Sequence, residues 1–203
     1  MFELLFDPDG FFANHVEGDG LLGPATVVTA VGVAGLASPL VVLESLLNGL
    51  GSEAGYFLVG YGIGLVGTFL GPFLEWMLLS LGFYAISTRF GGRGPVRRVV
   101  RLVGWGFVPA TLTGLVMTAA MLVTVQRIAP PTDPAGALRF VRLVQTAPAV
   151  RLAILVGIAF TVWSGLLWVF AVKHARGLSI RHAIPTVTVP VLVVVGWRLI
   201  HVL

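Results

Sequence analysis

Five long apolar segments constrain the fold of this 203-residue chain more than any other feature. They lie at about 21–43, 56–88, 102–125, 149–172 and 182–203. About 20 apolar residues of helix cross the hydrocarbon core of a bilayer, so each segment is long enough to span it. Only 11% of the residues are charged, whereas soluble domains carry about a quarter. The sequence predicts an all-α, polytopic helical membrane bundle of about five spans and excludes a soluble enzyme.

Two polar segments predict short interfacial helices beside these spans. Residues 1–20 are acidic and aromatic, and Asp7 followed by Pro8 is typical of an N-cap and the first helical position. We interpret them as a cytoplasmic or interfacial segment that precedes a membrane domain at 21–203. Asp133 and Pro134 repeat the pattern before the amphipathic run ALRFVRLVQ.

The second span is too long for a simple crossing. Residues 56–88 would extend about 50 Å as one helix, so the helix is either strongly tilted or broken at Gly71-Pro72. Gly60/Gly64 and Gly67/Gly71 form two GxxxG pairs, which permit close contact between membrane helices. Two other prolines predict breaks: Pro39 kinks or shortens the first span, and Pro109 kinks a helix or starts one within the third.

The basic residues predict the orientation. With the N-terminus inside, the cytoplasmic side holds eight basic residues and the outside holds five. The inner group is Arg89, Arg93, Arg97, Arg98, Arg101, Lys173, Arg176 and Arg181, and the outer group is Arg127, Arg139, Arg142, Arg151 and Arg198. The positive-inside rule favours this arrangement. We expect a multi-pass cell-membrane protein with a cytoplasmic N-terminus, an external C-terminus and a first span that is retained rather than cleaved as a signal.

Two acidic residues lie within or beside the apolar segments. Glu75 is the sharper candidate, because a carboxylate at depth must be paired, hydrated or protonated. It is either a proton, ion or headgroup site, or a structural acid that is neutral, paired with Arg or placed at the interface. Glu44 lies near the predicted end of the first span, where its side chain can reach water.

The cytoplasmic basic residues are candidates for contact with anionic lipid or an acidic partner. They are Arg93, Arg97, Arg98, Arg101, Lys173, Arg176 and Arg181. Helical i, i+4 spacing would place Arg93 with Arg97, and Arg97 with Arg101, on one face; the alternative is a topology signal alone. Because basic residues separate apolar spans, we predict lipid contact and no nucleic-acid partner. With no cysteine, P-loop, metalloprotease or dinucleotide motif, we predict no catalytic residues, metal or cofactor.

Several short motifs, in order, resemble the Yip-one domain family of Ypt/Rab-interacting membrane proteins, and most closely its small prokaryotic, archaeal-type branch. They are FDPDGFF at 6–12, LGPFLEW at 70–76, FGGRG at 90–94, GWGFVP at 104–109 and HARGLSIRHA at 174–183. The resemblance implies a five-span protein with a cytoplasmic N-terminus. It transfers mainly structural roles to Gly71, Pro72, Phe73, Gly104, Pro109, Gly177 and Ser179. Eukaryotic members bind Rab-type GTPases, but Phe69 and Leu70 replace an acidic residue of their pattern, so no GTPase partner is predicted.

Two functions follow as hypotheses. The first is a non-enzymatic scaffold or adaptor in membrane organisation or trafficking-like processes, binding membrane proteins, or itself, through the glycine faces. The second is a lipid-handling or ion-conducting protein that uses Glu75 in a hydrated crevice with Arg97, Arg98 or Arg101.

Overall fold

The computed structural model describes residues 2–18, 20–51 and 55–200, which form nine helices and no strand. The helices are α1 (Phe2–Phe6), α2 (Pro8–Asn14), α3 (Leu22–Leu50), α4 (Gly55–Thr88), α5 (Val96–Trp105), α6 (Val108–Val125), α7 (Pro134–Gln145), α8 (Pro148–Arg176) and α9 (Ile180–Ile200). Five of them, α3, α4, α6, α8 and α9, are long and apolar enough to cross a bilayer. The predicted all-α membrane bundle is confirmed.

The second span is one helix. α4 continues through Gly71 and Pro72 for 34 residues, about 50 Å at 1.5 Å per residue. Of the two alternatives, the single long helix is the correct one. Pro72 leaves the Thr68 carbonyl without its helical N–H donor, yet the flanking turns keep their helical geometry.

The first span also continues through its proline. α3 runs eleven residues beyond Pro39 to Leu50, so the predicted end near Glu44 is wrong. Pro39 cannot donate to the Gly35 carbonyl, and the hydroxyl of Ser38 approaches that oxygen at 3.4 Å instead. Hydroxyl side chains commonly satisfy carbonyls freed by proline in membrane helices. Glu44 lies exposed on the helix, about 33 Å from Leu22.

The third predicted span is two helices. α5 ends at Trp105 and α6 begins at Val108, so residues 102–105 belong to an amphipathic helix rather than to the span. α5 buries Val99, Leu102 and Val103 against the bundle. Pro109 lies in the first turn of α6, where its missing N–H costs no hydrogen bond. Of the two predicted effects, kinking a helix or starting one, Pro109 has the second.

Close helix crossings hold the bundle together. α6 packs between α3 and α8, while α4 packs against α3 and α9 packs against α8 and α4. Glycines make the crossings possible: a Cβ at Gly114 would lie 2.7 Å from the Ala34 backbone, and one at Gly32 would lie 2.8 Å from the Phe69 carbonyl oxygen. These contacts leave no room for a side chain.

Short helices cover both ends of the bundle. α1, α2 and α5 pack at the end where α4 and α8 finish, and we call it the basic end because it also carries the arginines of 89–101 and 173–181. At the opposite end, α7 packs Ala137, Phe140 and Val144 against Val42, Leu46 and Leu50 of α3. The Asp133 side chain caps α7 by accepting from the Gly136 N–H at 2.7 Å, and Asp7 caps α2 in the same way.

Candidate functional site

All five long helices contribute side chains to one polar chamber inside the bundle. The chamber encloses about 220 Å³, and its polar lining residues are Ser38, Thr68, Glu75, Thr113, Thr161, Ser164 and Arg198. Thr161 lies near the middle of α8, so the chamber is at the depth of the hydrocarbon core. Polar groups at this depth are costly unless they serve a ligand or each other.

An acid and a base face each other across this chamber. The Glu75 Oε1 atom lies 3.9 Å from Arg198 Nη2, and about a third of each side chain is exposed, 32% and 29% respectively. Arg198 Nη1 donates to the Thr161 hydroxyl at 2.7 Å. The carboxylate and guanidinium are too far apart for a direct hydrogen bond, so their attraction leaves hydrogen-bonding capacity on both.

The basic cluster that the sequence pairs with Glu75 lies elsewhere. Arg97, Arg98 and Arg101 do not line the chamber, where Arg198 stands instead. The sequence places Arg198 with the outer loops because it lies near the end of α9. Its role becomes visible only when α9 packs beside α4 and α8. Two arginines of the predicted contact set, Arg101 and Arg176, are themselves buried and engaged inside the protein.

Arg101 joins the N-terminal segment to α5. It is 8% exposed, and its Nη2 atom donates to the carbonyl oxygens of Val16 at 2.7 Å and His15 at 3.3 Å. The predicted sharing of a helical face by Arg93 and Arg97 is wrong, because α5 begins at Val96.

The remaining predicted lipid-contact residues divide by exposure. Arg93, Arg97 and Arg181 are exposed and Arg98 is partly buried. Lys173 is partly buried and paired with Asp9. The exposed arginines lie at the basic end, on the α4–α5 connection, on α5 and at the start of α9.

Arg176 connects the motif at 174–183, to which it belongs, with the motif at 90–94. Its guanidinium donates to the carbonyl oxygens of Gly92 and Gly94 and to the Ser87 hydroxyl, and it lies over the Tyr84 ring at 4.3 Å. Its own carbonyl accepts from the Arg93 N–H at 2.8 Å. The glycine turn can wrap this side chain because Gly94 has a φ of 113°, which side-chain-bearing residues rarely adopt.

Two tryptophans, Trp76 of α4 and Trp168 of α8, donate hydrogen bonds to α5 close to its junction with α6. Trp76 Nε1 donates to the Val100 carbonyl at 2.7 Å, and Trp168 Nε1 donates to the Val103 carbonyl at 2.9 Å. The rings lie against Gly104 and Gly106 respectively, with no space for a Cβ at either glycine. The motifs at 70–76 and 104–109 thus meet at one helix junction, which explains why glycine stands at those positions.

The loop after α8 is shaped by Gly177 and Ser179. Gly177 ends α8 in the left-handed conformation, and the following Leu178 N–H donates to the Lys173 carbonyl at 3.0 Å. The Ser179 carbonyl accepts from His182 and Ala183 N–H groups, and its hydroxyl lies 3.3 Å from His182 Nδ1. Both residues have structural roles in the helix turn.

The N-terminal segment is fastened to α8 by Asp9. Its carboxylate accepts from Lys173 Nζ at 2.6 and 2.8 Å and lies 2.6 Å from His174 Nε2. The hydrogen bond from Lys173, followed by the contact with His174, lowers the pKa of Asp9 below its ordinary value of 3.8. The stabilisation is therefore present above that value and lost as the pH falls below it.

We expect Asp9→Asn to loosen residues 2–18 from the bundle while leaving the spans folded. About half of the Asp9 side chain is exposed, so solvent screens the interaction and the effect is modest. Hydrogen exchange of this segment should increase at neutral pH in the variant, and in the wild type only below about pH 3.8. Glu17→Gln is the matched control, since Glu17 is exposed in the same segment; an equal increase in both variants would contradict the role of Asp9.

The glycines of α4 do not pack inside the chain. A Cβ added to Gly60, Gly64, Gly67 or Gly71 would meet nothing within 4 Å. Val59, Ile63, Val66 and Leu70 beside them are exposed. The GxxxG pairs thus make no close contact with the other described helices. They form an open stripe, Gly60–Gly64–Gly67–Gly71, which we call the glycine stripe.

Comparison with known proteins gives one match. The family model of the Yip1 domain matches residues 2–198, nearly the whole chain. Searches of curated proteins and of solved structures gave no match.

Proposed function

The chain belongs to the Yip1 domain family of membrane proteins, and from that premise we propose that it is a non-enzymatic membrane scaffold or adaptor. Its task would be to bind a transmembrane helix of another membrane protein through the glycine stripe of α4. The single observation that carries this proposal is the open stripe itself. Small residues let membrane helices approach closely enough for backbone contact.

The surroundings of the stripe favour a helix as its occupant. Exposed Val59, Ile63, Val66 and Leu70 each precede one of these glycines and, at 100° per residue, form a single apolar ridge along one side of the stripe. Ridges and grooves of this kind are what a second helix packs into. A polar ligand would find no hydrogen-bonding side chain among these eight residues.

We also propose an orientation in the cell membrane. The basic end would face the cytoplasm, with residues 1–20 as the cytoplasmic and interfacial segment and 21–203 as the membrane domain. The excess of basic residues at this end supports it. Exposed Arg93, Arg97 and Arg181 would contact anionic headgroups there.

Site-directed cross-linking tests the proposal directly. The chain contains no cysteine, so Ile63→Cys introduces a single thiol beside the stripe. In native membranes, a thiol-reactive reagent that carries a benzophenone, which on irradiation inserts into a nearby C–H bond, is expected to give one adduct of defined mass from this position. Leu155→Cys, on the exposed side of α8, is the matched control and should give none. The same adduct pattern from both positions, or none from Ile63→Cys, would contradict a helix-binding stripe.

A further inference from the structure

The polar chamber opens into a larger apolar cavity. The second cavity encloses about 650 Å³ and shares Glu75, Thr113, Met117 and Arg198 with the chamber. Its other lining residues are Ile154, Gly157, Val193, Val194 and Trp197. Val193 and Trp197 are 69% and 67% exposed on the outer surface of the bundle. A polar compartment is therefore continuous with an apolar one that reaches the lipid-facing surface.

The chamber also carries hydrogen-bonding groups without partners. Among the described residues, Ser164 Oγ and Thr113 Oγ1 are buried and have no hydrogen-bond partner. Ser164 is 1% exposed, and both residues line the chamber beside Glu75 and Arg198. A buried hydroxyl without a partner is costly, so these groups indicate a bound polar molecule.

We propose that the chamber binds the headgroup of one zwitterionic aminophospholipid, with the phosphate at Arg198, the ammonium at Glu75 and an acyl chain in the apolar cavity. The site has one charge of each sign, so a zwitterionic headgroup offers an opposite charge to both Glu75 and Arg198. The guanidinium can donate to phosphate oxygens with the N–H groups that do not reach Thr161. The two unpartnered hydroxyls supply further bonds to the headgroup.

The apolar cavity selects a lipid over a small zwitterion. Beyond the charged pair its lining is largely apolar, with Ile154, Val193 and Trp197 among its residues. Burying an acyl chain there is favourable only to the extent that the chain leaves water. A lipid already in the bilayer gains little from that term. Specificity must then come from the headgroup, which makes Glu75 and Arg198 the residues to test.

Native mass spectrometry in nanodiscs tests this site. The purified protein is placed in nanodiscs of mixed phosphatidylethanolamine and phosphatidylglycerol and then released at increasing collision energy. We expect one phosphatidylethanolamine to remain on each wild-type chain. Glu75→Gln should reduce its retention about tenfold, because a charge-assisted hydrogen bond to the ammonium is lost. Glu44→Gln, which changes the other acid of the spans outside the cavity, should leave retention unchanged.

A second variant separates binding from folding. Val193→Trp places a large ring at the exposed mouth of the apolar cavity without touching the charged pair, and it should also lower retention while the unfolding temperature stays near that of the wild type. Equal retention of phosphatidylglycerol, which has no ammonium, would overturn the headgroup assignment. Unchanged retention in Glu75→Gln would overturn the site. Neither result bears on the glycine stripe, because its glycines line neither of these two cavities.

Discussion

Replacing Arg176 with Leu is expected to destabilise the protein by roughly 3 kcal/mol or more. Arg176 is 2% exposed, and its guanidinium donates to Gly92, Gly94 and Ser87. A leucine would deprive the partly buried carbonyls of Gly92 and Gly94 and the buried Ser87 hydroxyl of this donor, and it would remove the cation from the Tyr84 ring. Thermal unfolding of the purified protein in nanodiscs measures the loss.

Two further variants define what Arg176 contributes. Arg176→Lys should recover little of the stability, because one ammonium cannot reproduce the fork that reaches three acceptors. Arg181 lies five residues later and is exposed. The free energy of unfolding of Arg181→Leu should therefore stay within about 1 kcal/mol of the wild-type value. Equal stability of Arg176→Leu and Arg181→Leu would show that the glycine turn holds its shape without the arginine.

Gly114→Leu is expected to have the second large effect, a loss of about 3 kcal/mol or failure to fold. Its Cβ would lie 2.7 Å from the backbone of Ala34, so α3 and α6 would have to separate. Backbone cannot move aside as a flexible side chain can. The measurement is the yield of monodisperse protein together with its unfolding temperature.

The matched control for Gly114 lies on α4. Gly64→Leu adds the same atoms to a glycine of a membrane helix, but with nothing within 4 Å. We expect the purified Gly64→Leu chain to fold with near wild-type stability. If both variants unfolded alike, helix propensity would explain the effect and the crossing of α3 and α6 would not be the cause.

The number and type of spans could be predicted from sequence because apolar length alone decides them. Helix caps could also be predicted, since Asp7 and Asp133 act locally on the next turn. Proline effects were harder to predict. Pro39 predicts a kink or an early end of α3, and the early end is wrong, because the helix continues with the Ser38 hydroxyl near the freed carbonyl. That compensation depends on side-chain geometry.

The polar chamber could be predicted only in part. Glu75 is conspicuous in an apolar segment, but its partner Arg198 lies 123 positions later and resembles an ordinary residue at the end of a span. The glycine patterns showed the same limit. GxxxG spacing on α4 predicts close contact, whereas the tight crossings inside the chain use Gly32, Gly114 and Gly157, which belong to other helices. Tertiary packing decides which glycines meet a neighbour.

Four of the motifs that resemble the family contact the same part of the structure. Arg176, Trp76 and Trp168 connect the segments at 70–76, 90–94, 104–109 and 174–183 at or near the basic end. The spacing of the motifs follows from the lengths of the helices between them.

Native mass spectrometry of the protein extracted from its own membrane directly into nanodiscs tests the central claim of a scaffold most directly. We expect a stoichiometric complex with a second membrane protein for the wild type and for Gly62→Leu. Gly62 also has nothing within 4 Å but lies on another side of α4, about 200° around the helix from Gly60. The same complex should be absent for the double variant Gly64→Leu, Gly67→Leu. A wild-type monomer, or a complex that survives the double variant, would contradict the account.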